Sequence, residues 1–159
     1  MTANLLLKQY EFIHSSRNAV LNFIETEVGE DMHTPVPAFE GQVIRYFLVH
    51  NADCYLNWLA YFALKQPKKT IHNEDFKTVD MIRGLYGKVD EIVGLFLENF
   101  ESELDMPVNG VHNRAGEVSV TPLQLFTHVT THEFHHKGQM MTMCRLLGHA
   151  PPDTDAIRF

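Results

Sequence analysis

The chain has 159 residues, of which 45% are hydrophobic, and this predicts a single domain over residues 1–159 with a buried core. Twenty acidic against thirteen basic residues give a formal net charge of −7, which argues against nucleic acid or an anionic membrane surface as a partner. Cys54 and Cys144 form no disulfide framework, and no window has the apolar length of a membrane span. We therefore expect a cytoplasmic protein.

Apolar residues recur at helical spacing in four long segments, and no comparable segment alternates at the strand period. The first segment extends from Leu6 to Val28 and stops at Gly29, a residue type that often ends helices. Arg17 interrupts its apolar stripe. The second segment runs from Val43 to Tyr61 and ends before Pro67.

The third helical segment runs from Phe76 to Phe100. The helical period is then lost between residues 101 and 120. Asn109-Gly110 and Ala115-Gly116 predict turns there, beside short extended pieces such as 118–120. A hairpin or an ordered loop fits this region.

The fourth helix is predicted to begin after Thr121, which is a good N-cap, with Pro122 in the first helical turn. Its apolar stripe lasts to Leu147 and stops at Gly148. Four amphipathic helices of this length pack most simply side by side. The sequence thus predicts an all-α fold, a four-helix bundle with a short hairpin or ordered loop between the third and fourth helices.

Histidines occupy three positions where the helical pattern calls for apolar side chains. His132 and His136 lie four residues apart on the inward stripe of the fourth helix, a spacing that lets two imidazoles share a metal ion. His50 takes a core position between Phe47 and Cys54 on the second helix. If the bundle brings the two stripes together, three imidazoles meet at one point.

A metal ion would satisfy the ring nitrogens of such a cluster, and three neutral histidine ligands leave one position open for water or substrate. That arrangement is typical of reactive sites. In the alternative interpretation, His50 is a core histidine bonded to a backbone carbonyl, and His132 and His136 are solvated or bonded locally.

The five residues His132 to His136 also match the HExxH motif of zinc peptidases, in which the glutamate activates a metal-bound water. The extended form of the motif needs glycine at 139 and histidine at 142, where this chain has Gln139 and Thr142. No glutamate follows Glu133, so a downstream glutamate ligand is excluded. The sequence therefore disfavours a peptidase and predicts that Glu133 is a solvated helix residue.

Other residues invite two interpretations each. Cys54 could be a fourth ligand or a reactive thiol, but a small core residue is the preferred interpretation. Arg17 could contact an anion, but a surface arginine with a packed stem is preferred. Glycine inside a helix is costly, so Gly138 predicts the close approach of a neighbouring helix or ligand. The remaining histidines are predicted to support a ligand or lie at the surface (His128, His135), or to be surface and loop residues (His14, His33, His72, His112, His149).

Three stretches of the sequence stand out together: His50 within the segment 48–52, His132-x-x-x-His136 followed by Lys-Gly-Gln, and the closing segment 146–153, Leu-Leu-Gly-His-Ala-Pro-Pro-Asp. In these stretches the chain resembles the DinB/YfiT-like family. The resemblance implies a bundle with up-down-down-up helix order, a homodimer, and a nickel or zinc ion held by His50, His132 and His136. Lys137 stands where the family often has arginine.

Some relatives are transferases that use a low-molecular-weight thiol such as bacillithiol, mycothiol or glutathione, others are thiol-dependent isomerases, and many have no known activity. The resemblance thus implies a metal-dependent transferase or isomerase, with a thiol cosubstrate, that acts on a small electrophilic molecule. The alternative is a metal-binding stress-response bundle without catalysis.

Overall fold

The computed structural model describes residues 2–112 and 116–158. Within these residues the fold comprises four α-helices and a two-stranded antiparallel sheet: α1 (Thr2–Phe23), α2 (Ile44–Tyr55), α3 (Val79–Asn99), β1 (Val108–His112), β2 (Gly116–Val120) and α4 (Pro122–Leu146). The four predicted helices are present. The all-α class needs amendment, because the segment between α3 and α4 forms a small sheet.

The helix ends follow from local chemistry. Thr121 caps α4 in a reciprocal arrangement with Gln124, and Pro122 opens the helix as predicted. The third helix begins later than predicted, because the Thr78 side chain accepts a hydrogen bond from the Met81 backbone N–H and leaves Phe76 outside. The first helix continues in π-helical geometry over Ile24–Val28 and ends at a glycine with φ of +55°.

The second helix also continues in π-helical geometry, over Leu56–Ala63. It packs against both α3 and α4, and α1 packs against the same two helices. The core between them contains the fully buried Tyr55, Phe96 and Phe126. Among the described residues, no helix is long and apolar enough to cross a membrane.

The hairpin is built differently from the sequence prediction. Asn109 and Gly110 lie inside β1, paired with residues 119 and 118, and do not form a turn. Gly110 packs so closely on the π-helical continuation of α2 that a Cβ there would lie 2.8 Å from the Phe62 ring. The Lys65 ammonium donates a hydrogen bond of 2.8 Å to the Asn109 carbonyl. The other predicted turn includes residue 115, outside the described residues, and Gly116, which begins β2 with φ of +73°.

Candidate metal centre

The packing of α2 on α4 brings together the three histidines that interrupt the apolar stripes. The Nε2 atoms of His50 and His132 lie 3.1 Å apart. The His132 and His136 ring centroids are 4.4 Å apart, and those of His50 and His136 are 5.0 Å apart. One ring nitrogen from each of the three histidines lies within 4.8 Å of the other two. The three side chains are half-buried.

This geometry suits a metal ion. Two nitrogens bound to a tetrahedral zinc ion at its usual bond length are about 3.3 Å apart, which is close to the observed His50 to His132 spacing. A divalent ion would accept one lone pair from each of the three rings at a single point, where neutral rings side by side would each need a hydrogen-bond donor. The cluster could therefore hold a metal ion.

The protonation state of the cluster favours the same role. Burial, with the neighbouring His136 and His50 adding to it, lowers the pKa of His132 from 6.5 to about 4. Burial also lowers the pKa of His136, although a hydrogen bond with Gln139 acts in the opposite direction. His132 and His136 are thus neutral at pH 7, the form in which imidazole binds metals.

Neighbouring side chains orient two of the three rings. The Nδ1 atom of His136 lies 2.5 Å from the Gln139 side-chain oxygen. When Nδ1–H donates to this oxygen, Nε2 keeps its lone pair for an ion. The ring of Tyr46 stacks on that of His50 with an interplanar angle of 6°. Gln139 follows the HxxxH pair by three residues, so the sequence contains this support as part of its Lys-Gly-Gln segment.

Glu133 is not the solvated residue that the sequence predicted. Its side chain is buried, and its carboxylate accepts hydrogen bonds from Arg17 Nε at 2.7 Å, Arg17 Nη2 at 2.9 Å and the Tyr55 hydroxyl at 2.7 Å. A residue next to His132 is rotated by about 100° around the helix, which turns Glu133 away from the histidine face. Both carboxylate oxygens are engaged in this ion pair, so Glu133 is not placed to activate water at the histidines.

Arg17 is likewise buried, with 4% of its surface exposed, and is not a surface arginine. Besides Glu133, its guanidinium donates to Asp90 at 2.9 Å and to the Tyr10 hydroxyl at 3.1 Å. It also stands over the Tyr86 ring, 4.3 Å from the centroid. The preferred interpretation failed because the pattern of α1 alone cannot show a carboxylate that another helix supplies.

A second group of donors lies beside the first. Cys54 is buried, as the preferred interpretation predicted, and its sulfur is 3.9 Å from His128 Nε2. The donor atoms of Cys54, His128 and His132 lie within 4.8 Å of one another. Burial raises the pKa of the Cys54 thiol to about 12, so without a metal it is not a thiolate nucleophile at neutral pH.

An aromatic wall adjoins this second group. The ring of His112, which comes from β1, stacks on Trp58 with centroids 4.6 Å apart, and Trp58 also contacts the rings of His128 and Phe62, each at 5.4 Å. The sequence predicted a surface or loop residue at this position. No local pattern in the segment 108–112 indicates otherwise, because the packing of β1 on the π-helical continuation of α2 brings His112 to Trp58.

Gly138, His135 and Lys137 lie beside the histidine pair and add no donor to the described cluster. A Cβ placed on Gly138 would meet no atom within 4 Å, so among the described residues the predicted close approach of a neighbouring helix is not found. His135 is exposed, and its ring contacts that of His136 with centroids 5.0 Å apart. The Lys137 ammonium turns to the C-terminal segment and donates to the Thr154 carbonyl at 2.8 Å.

The fold and the cluster together define a helical bundle with a histidine site between two helices that could hold a metal ion. Comparison with known proteins places it further: the sequence model of the DinB family matches residues 1–159, and the chain belongs to this family. It is similar to "Protein DinB" of Bacillus subtilis (strain 168), with 23% identity over 160 residues that cover 96% of this chain and 92% of the relative.

Proposed function

We propose that the protein is a metal-dependent enzyme that transfers a low-molecular-weight thiol to a small electrophilic substrate. The observation that carries the proposal is the convergence of His50, His132 and His136, with ring nitrogens within 4.8 Å of one another and no carboxylate among the donors of the described cluster. Three neutral ligands leave the charge of a divalent ion uncompensated and a position open, which favours an anionic ligand such as a thiolate. Zinc and nickel both suit imidazole ligands.

Five residues of the cluster and its surroundings have a role in this proposal. His50, His132 and His136 hold the ion, and Gln139 and the Tyr46 ring keep two of the imidazoles in their binding orientation. A divalent ion there would supply a Lewis acid that favours the deprotonated form of a thiol. In the transfer itself, the thiol sulfur forms a bond to the electrophilic carbon, the leaving group departs with its electron pair, and the thiol proton passes to the solvent.

The first experiment measures metal content. We expect the wild-type protein, purified without chelator, to carry about one zinc or nickel ion per chain, and His132→Ala to lose it. His135→Ala is the matched control, because this exposed histidine lies on the same helix and offers no donor to the cluster. Wild-type protein without stoichiometric metal would refute the site.

The second experiment measures turnover. Metal-loaded protein is incubated with a chloronitroarene electrophile and one thiol, which is bacillithiol, mycothiol or glutathione in three separate reactions. The release of chloride is followed in each reaction. We expect one thiol to support turnover that is lost in His136→Ala and kept in His135→Ala. Stoichiometric metal without turnover with every thiol would instead favour the alternative function, a metal-binding stress-response bundle.

The peptidase alternative has its own test. Glu133 would have to act as a base, yet its carboxylate is paired with Arg17 and Tyr55. We therefore expect no hydrolysis of a peptide mixture by the metal-loaded protein. Hydrolysis that disappears in Glu133→Gln, with the helical circular dichroism retained, would contradict this assignment.

The proposal includes the homodimer and the up-down-down-up helix order that the resemblance implies. Leu5 and Phe12 lie seven residues apart on α1 and are 66% and 59% exposed, an arrangement that suits a helix partner. Light scattering should give twice the mass of one chain, and Phe12→Glu should reduce it to one. A monomeric wild-type protein would exclude the dimer and leave the metal site unaffected.

A further inference from the structure

Five metal-binding donors line the contact between α2 and α4, and they repeat along both helices. On α2, Cys54 follows His50 by about one turn. On α4, His128, His132 and His136 follow one another at intervals of about one turn. The donors therefore form two groups within 4.8 Å that share His132, one made of histidines only and one that contains a thiol. The proposed function uses only the first group.

The second group has distances suited to an ion. The Cys54 sulfur and His128 Nε2 are 3.9 Å apart, whereas a sulfur and a nitrogen on one tetrahedral zinc ion are about 3.6 Å apart. A shift of a few tenths of an ångström in the exposed His128 side chain would close the difference. The ring of His128 is already aligned with that of His132, with centroids 5.6 Å apart and an interplanar angle of 28°.

We propose that Cys54, His128 and His132 form a second cation position, one helical turn from the three-histidine cluster, which takes a thiophilic divalent ion such as zinc. Binding replaces the S–H bond of Cys54 by a sulfur–metal bond and releases the proton to solvent. Thiolate and imidazole together are a donor set that zinc favours in proteins.

Sharing of His132 determines how the two positions fill. A neutral imidazole presents one lone pair, so His132 serves one ion at a time. When it serves the three-histidine cluster, an ion at the second position retains Cys54 and His128 and completes its coordination with solvent or a thiol. The nitrogens of His50 and His132 already lie close to the separation they would have on one zinc ion, whereas the Cys54 sulfur and His128 Nε2 are a few tenths of an ångström too far apart. The first equivalent of metal should therefore enter the histidine cluster, and the second should bind more weakly at the position that contains sulfur.

Cobalt(II) titration of the metal-free protein separates the two positions, because only thiolate ligation produces an intense sulfur-to-cobalt charge-transfer band. In the wild type we expect this band to grow with the second equivalent and not with the first. In His136→Ala, which disrupts the histidine cluster and leaves the second group intact, it should appear with the first equivalent. Zinc should abolish the band by displacing cobalt.

Two cysteine variants complete the test. Cys54→Ser should lose the band and bind one equivalent in place of two, whereas Cys144→Ser, a buried cysteine elsewhere on α4, should behave like the wild type. Circular dichroism verifies that each variant keeps its helices. The position is refuted if neither the wild type nor His136→Ala shows the band, or if zinc fails to displace cobalt. It is also refuted if the band saturates with the first equivalent in the wild type and is lost in His136→Ala, since Cys54 would then belong to the histidine cluster. None of these outcomes depends on catalysis, so the proposed function can fail independently.

Discussion

Replacement of Arg17 by methionine tests the buried ion pair that joins α1 to α4. The variant keeps an apolar stem but removes the guanidinium, which leaves the Glu133 carboxylate with the Tyr55 hydroxyl as its remaining donor among the contacts described above. Arg17 and Glu133 are 4% and 6% exposed, so water cannot readily replace the lost donors. Asp90 is affected less, because a third of its side chain is exposed.

The magnitude follows from this burial. Removal of one partner of a buried ion pair costs about 3–5 kcal/mol, and for a chain of this length each kcal/mol lowers Tm by about 2–4 °C. We therefore expect Arg17→Met to reduce the free energy of unfolding by about 3–5 kcal/mol and Tm by about 6–20 °C. Addition of Glu133→Gln should recover most of this loss, because no fully buried charge then lacks its partner.

Urea denaturation of the metal-free protein, followed by circular dichroism, measures these differences. Arg83→Met is the matched control: Arg83 pairs with Glu25 at 2.9 Å, but both side chains are substantially exposed, and its loss should cost about 0–1 kcal/mol. A loss below about 1 kcal/mol for Arg17→Met, or no recovery on adding Glu133→Gln, would refute the reasoning about burial.

Three further predictions concern glycines and protons. Gly138→Ala should raise the free energy of unfolding by about 0.5–1 kcal/mol, because the new methyl group meets no atom and alanine favours the helix. A lower Tm in thermal denaturation would show that another group covers this position. Gly110→Ala should lower Tm and weaken hydrogen-exchange protection in the hairpin, because its Cβ would lie 2.8 Å from the Phe62 ring; unchanged protection would contradict the close approach. The metal-free protein should lose stability as pH falls from 6.5 towards about 4, because His132 in the unfolded chain binds a proton at its ordinary pKa, whereas its pKa in the folded protein is about 4. In His132→Ala, the free energy of unfolding from urea denaturation should depend less steeply on pH in this window, and an equally steep dependence would exclude the effect.

Much of the fold could be predicted because its signals are local. Helical periodicity locates the helices, and the Thr121-Pro122 start of α4 was confirmed. The structure adds the Gln124 side chain, which completes the cap. The histidine pair was recognisable for the same reason, since the four-residue spacing of His132 and His136 places both rings on one face wherever the helix packs.

Contacts between distant residues were not predictable in this way. Arg17 and Glu133 are 116 residues apart, and each looked like a surface residue on its own helix. The polar pattern of one helix shows that a charge interrupts an apolar stripe. Only the packing of α1 against α4 shows whether a partner of opposite charge offsets the free-energy cost of desolvating it. Cys54 and His128, 74 residues apart, met for the same reason.

The hairpin shows local and tertiary effects in competition. Asn109-Gly110 is a strong turn signal in isolation, yet it lies within β1, where the bare Cα of Gly110 lets the strand approach Phe62. The sequence by itself determined the four helices, the cap of α4 and the helix faces that carry His50, His132 and His136, because these depend on neighbours within one or two turns. The tertiary structure alone decided which charges are buried, which strand residues pack on α2 and which donors from different helices share a site, because those depend on how the faces meet in space.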